Sequence, residues 1–79
     1  MVRAVVIHAD SDAAGIKAED KWLSRHYPTY HKVRQALLMK NGHYYDKIEV
    51  VNSSEDHKEI YFDITEPYNS LMRIFQKSG

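Results

Sequence analysis

Val33-Arg34-Gln35-Ala36-Leu37-Leu38-Met39-Lys40-Asn41-Gly42-His43-Tyr44-Tyr45-Asp46-Lys47-Ile48-Glu49-Val50-Val51 is the stretch that decides the fold. Asn41-Gly42 is the strongest hairpin signal in the chain, because both residues accept the positive φ that a type I′ turn requires. A strand over Val33 to Lys40 leads into the turn. Val33, Gln35, Leu37 and Met39 share one face of it, and Arg34, Ala36 and Leu38 share the other. A strand over His43 to Val51 leads out, with Ile48 and Val50 facing in and Lys47 and Glu49 facing out.

Downstream, Asn52 to His57 reads as a polar turn. Lys58 to Thr65 then alternates Ile60, Phe62 and Ile64 with Glu59, Tyr61 and Asp63, the pattern of a half-buried antiparallel strand. Thr65 or Glu66 caps a last helix, with Pro67 near its first turn. Leu71, Met72, Ile74 and Phe75 form that helix's apolar side.

Upstream, Val2 to Ile7 is nearly all apolar and β-branched, and reads as a short strand with both faces covered. Asp10 to Gly15 is a turn in which Ser11 or Asp12 can cap a helix. The helix runs from about Ile16 to His26. Ala18, Trp22 and His26 line one face, beside Leu23 and Tyr27, while Glu19, Asp20, Lys21 and Arg25 point to water. Pro28 ends it, because the residue before a proline is pushed out of helical geometry. The order is βαβββα. It predicts a single small α+β domain over residues 1–79: a mainly antiparallel sheet, built from a three-stranded meander plus the N-terminal strand, with two helices packed on it.

Composition sets bounds on function. A chain of 79 residues buries only about 60% of the surface its unfolded form exposes, so its core is small. Six tyrosines, one tryptophan and two phenylalanines supply apolar area and also suit binding surfaces. Eleven basic and eleven acidic residues cancel, so there is no global attraction to nucleic acid or to an anionic membrane. With no cysteine, a disulfide framework, a thiolate zinc site and a cysteine nucleophile are excluded. No run is long enough to span a bilayer and no signal-peptide pattern opens the chain, so the expected location is cytoplasmic.

Val5 to Pro28 carries an apolar strand, then Asp10-Ser11-Asp12-Ala13-Ala14-Gly15, then a helix. This Asp-x-Asp-x-x-Gly segment resembles the second half of a Toprim domain, the metal-dependent fold of primases, type IA topoisomerases and some nucleases. The resemblance covers about a third of the chain. It implies that Asp10 and Asp12 help bind magnesium or manganese for phosphoryl transfer on nucleic-acid phosphodiesters. Apart from the resemblance, His8 can join them as a ligand, since alternate strand positions share a face. The family also carries a glutamate on an earlier strand, and none of the nine residues before Asp10 is acidic. The plainer account of Asp10 and Asp12 is capping and favourable charge at a helix N-terminus. That account needs no cofactor.

Two other groups of residues stand out. Arg25, Tyr27, Tyr30, Lys32 and Arg34 lie in a basic, aromatic stretch without acids that can contact phosphates and stack a base. Tyr44, Tyr45, Tyr61 and Tyr68 can form a protein-binding patch, although Tyr44 and Tyr61 can instead pair across neighbouring strands. His26 and His31 flank a proline turn and make no zinc pattern, and His43 and His57 read as solvated turn residues. There is no nucleophile elbow and no phosphate-binding glycine loop, so no catalytic residue is assigned. The expected function is that of a small non-catalytic module. Its partner is a protein or a second copy of itself in a homodimer, and the meander edge is the contact.

Overall fold

The computed structural model describes residues 3–69. Five elements follow in order: β1 (Ala4–Val6), α1 (Asp12–His26), β2 (His31–Lys40), β3 (His43–Val51) and β4 (His57–Asp63). Residues 65–69 are helical and are the last described, so the apolar side expected from Leu71 to Phe75 lies outside the described residues. The protein is α+β, and its single four-stranded sheet has the order β1-β4-β3-β2. The meander β2-β3-β4 is antiparallel. β1 joins it parallel to β4, with Val5 opposite Phe62, so the sheet is mixed.

The hairpin forms where the sequence places it. Asn41 and Gly42 take φ values of 53° and 79°, the left-handed pair that the right-handed twist of the strands demands. Ile48 pairs with Ile60 and Asp46 with Phe62, which sets Ile48, Val50, Ile60 and Phe62 on one face. With Ile7, Leu23 and Ile64 they make the buried core. Burying each such side chain stabilises the fold by roughly 1.5–3 kcal/mol before conformational entropy is charged against it.

α1 lies across that face. Trp22 meets Phe62 edge-on with ring centroids 5.4 Å apart, and Leu23 enters the core. The helix begins earlier than the periodicity suggests. Ser11 is the cap, its hydroxyl accepting from the Ala14 N–H at 3.1 Å, and Asp12 is already helical. Gly15 therefore does not shape a turn. It sits inside the helix, buried, where a Cβ would come within 3.0 Å of the Pro67 side chain. The glycine lets α1 and the 65–69 turn approach closely over the end of β1.

Three other expectations are corrected. Val6 is exposed, so β1 is covered on one face only. β2 begins at His31, and its register slips between Lys32 and Arg34, a bulge that takes Val33 out of the alternation. Glu19 does not point to water but is 3% exposed and faces the sheet, together with buried Asp46.

β2 stands apart from this packing. All ten of its residues are exposed. Among the described residues it contributes nothing to the buried core, and its outer edge has no partner strand.

Candidate functional site

The β2 surface is the largest unsatisfied feature among the described residues. Among the described residues six large hydrophobic side chains are exposed, and four of them belong to β2: Val33 (49%), Leu37 (52%), Leu38 (40%) and Met39 (69%). Apolar side chains scattered singly on a surface need no explanation, whereas four on one strand make it a candidate interaction surface. The register shows how the cluster is arranged. Gln35, Leu37 and Met39 stand opposite Ile48, Asp46 and Tyr44, so they continue the face that α1 covers further along the sheet. Arg34, Ala36, Leu38 and Lys40 stand opposite Glu49, Lys47, Tyr45 and His43 on the open face. Residues on both faces of β2 are exposed, and among the described residues no strand pairs with the backbone donors and acceptors of its outer edge.

The open face is polar and tied together by ion pairs. Lys47 meets Glu59 at 2.9 Å, and His57 meets Glu49 at 2.7 Å. Glu59 holds the Lys47 ammonium above its ordinary pKa by hydrogen bonding and charge. His57 is the first residue of β4 and His43 the first of β3, so neither is a turn residue, and each has a carboxylate partner.

The tyrosines divide between the two faces. Tyr44 stacks on Tyr68 at 4.0 Å beside the core, whereas Tyr45 stacks on His43 and lies with Tyr61 on the open face. Tyr44 and Tyr61 do not pair, because Tyr61 stands opposite Lys47. The four do not make one patch.

The basic, aromatic stretch is likewise split. Tyr27 and Tyr30 meet edge-on at 5.3 Å, and Tyr27 leans on Trp22. The Tyr30 hydroxyl donates to Asp56 at 2.7 Å, and that bond raises its pKa. Lys32 pairs with Asp20 at 3.0 Å beside a groove of about 390 Å³ that both tyrosines line. Arg34 lies on the opposite face of the sheet, 3.8 Å from Glu49, and Arg25 is exposed in the last turn of α1.

A second cavity, of about 340 Å³, opens beyond the carboxyl ends of β1 and β4. Ligands of open α/β sheets often bind in such a place. His8 and His43 line it, their Nδ1 atoms 3.1 Å from Glu66 and Asp63 respectively. Thr65 donates to Asp63 through both its backbone N–H, at 3.0 Å, and its hydroxyl, at 2.5 Å. Burial pushes the Asp63 carboxyl up, but the Thr65 bonds and His43 outweigh it and leave the pKa below the ordinary value. This network joins the start of β3 to the end of β4. Sequence inspection missed it, because partners 20 and 58 positions apart leave no local pattern.

Asp10 and Asp12 are both exposed, Asp12 in the first turn of α1. The His8 ring is taken up by Glu66. Among the described residues no three His, Asp or Glu side chains converge in a way that can hold a metal ion. No described helix is long and apolar enough to cross a membrane. No protein-family model, curated protein or solved structure matches the chain.

Proposed function

We propose that this chain is a small, non-catalytic binding or assembly module of the cytoplasm that docks through the β2 edge. One observation carries the reading: ten consecutive strand residues, four of them large and apolar, are exposed on both faces at the end of an otherwise packed sheet. An edge of this kind adds a strand from another chain, the main chain supplying affinity and the side chains register. In this reading Asp10 and Asp12 serve the helix N-terminus.

The test is hydrogen exchange of the β2 amides combined with light scattering over a wide concentration range. Protein from a native source that carries its partner is compared with the purified chain. Protection of the outward β2 amides with partner or on self-association supports the reading. Equal, fast exchange in every sample, with a monomer mass throughout, sinks it.

A further inference from the structure

We infer that the β2 edge receives, as a fifth strand, an extended acidic and apolar segment of a different protein rather than a second copy of this chain. The inference rests on the docking reading above and names the chemistry of its partner.

The chain as a whole is balanced, but β2 is not. Its ten residues include His31, Lys32, Arg34 and Lys40 and no aspartate or glutamate. On the open face Arg34 and Lys40 bracket Ala36 and Leu38. An added strand places its side chains directly beside these, so the complementary segment has apolar residues at its centre and acids at either end of the same face. The cations are accessible. The Arg34 side chain is 81% exposed and its contact with Glu49 is long, and Lys40 makes no ion pair among the described residues.

Self-pairing meets the charge pattern badly. An antiparallel pair of identical strands has its two-fold axis perpendicular to the sheet and midway between the strands, so that one residue, the centre, faces the same residue of the other copy. Centred on Leu37, it sets Arg34 of each copy opposite Lys40 of the other, twice. Like charges directly opposite are destabilising. Centred on Ala36, it sets Arg34 against Leu38 and drives the Val33 bulge against Met39. Centred on Leu38, it avoids both conflicts but leaves only Ala36 to Lys40 of the strand in register.

Nucleic acid fits less well. None of the ten β2 residues is phenylalanine, tyrosine or tryptophan, and Tyr45, opposite Leu38 on the open face, is already stacked on His43, so base stacking is poorly served. Lys32 and Arg34 project from opposite faces, and a phosphate backbone cannot follow both.

The experiment is a proton–nitrogen NMR titration of the full chain with three probes. These are a blocked nine-residue peptide with the order threonine, glutamate, threonine, valine, threonine, valine, threonine, glutamate, threonine, its counterpart with lysine in place of glutamate, and a ten-nucleotide single strand of thymidine. The same titrations are run on the R34E/K40E double variant, whose exposed sites leave the core untouched. The expected result is shifts confined to His31–Lys40 with the glutamate peptide, at least about tenfold weaker with the lysine peptide and weakened by salt. The double variant is expected to exchange that preference. Equal binding of both peptides, or stronger shifts with the oligonucleotide, overturns the inference. Concentration-dependent changes at β2 with a dimer mass give the edge to a second copy, which overturns the inference and upholds the docking reading. A monomer whose β2 signals respond to none of the probes overturns the inference and also counts against the docking reading.

Discussion

Glu19 shows how a residue can defeat its own sequence context. It stands among Asp20, Lys21 and Arg25 on a helix whose apolar positions lie elsewhere, and the periodicity assigns it to water. It is buried instead and hydrogen-bonded to Asp46, 27 positions away, so nothing local reveals the contact. Burial raises its pKa to about 9. The hydrogen bond and negative charge of Asp46 add to the rise, and Lys32 opposes it. Glu19 is therefore protonated in the folded protein at neutral pH. The folded state holds this proton more tightly than the unfolded state does, so stability falls as pH rises from about 4.5 toward 9. Below that window both states are protonated and the group has no effect. Glu19→Gln keeps a donor toward Asp46 without the proton. It is expected to remove this slope and to exceed the wild type at pH 8 by on the order of 1–3 kcal/mol. Chemical denaturation from pH 5 to 9 measures the difference, and parallel curves for the two proteins refute the account. Ser11 and Gly15 are opposite cases. Ser11 was readable as a cap, whereas Gly15 looked like a turn glycine because its neighbour Pro67 is distant in sequence.

At the scale of elements, local signals were decisive and long-range ones silent. Asn41-Gly42 and the alternation of Ile60, Phe62 and Ile64 place β3 and β4 to within a residue or two, since turn geometry and burial both act locally. α1 starts at Asp12, about one helical turn before Ile16, because Gly15, which reads as a boundary, is a packing residue against Pro67. The parallel pairing of β1 with β4 joins Val5 to Phe62, and no sequence period encodes it. The basic stretch from Arg25 to Arg34 looked continuous in sequence. A helix end, a turn and the alternation of a strand then scatter it over different surfaces. The hairpin supplies a direct test. A Cβ at Gly42 meets nothing within 4 Å, so substitution there acts on the backbone alone. Gly42→Val is expected to cost about 1–2 kcal/mol, because a β-branched residue is strained at φ 79°. Gly42→Asn is expected to cost less, since asparagine tolerates that region. Denaturant midpoints followed by Trp22 fluorescence measure both, and equal losses for the two variants contradict the backbone explanation.

At the scale of the molecule, the core among the described residues is seven buried side chains from β3, β4, α1 and the segments after β1 and β4, with none from β2. A domain of this size has a total stability of roughly 4–12 kcal/mol. Phe62→Ala empties the centre of the core, removes the edge-on contact with Trp22, and is expected to cost about 3–5 kcal/mol. Leu38→Ala on β2 is expected to stay within about 0.5 kcal/mol. Thermal unfolding of the two variants checks the contrast, and a large loss at Leu38 in the monomer contradicts the picture of an unengaged strand. The two borders of the sheet are unequal. β2 offers ten residues, while β1 at the other border offers three. A sheet grows without limit only when each unit has two adhesive borders, one to accept and one to offer. Here the second described border is only three residues long, so if β2 docks as proposed, filling it ends growth and the resulting complex is stoichiometric rather than fibrous.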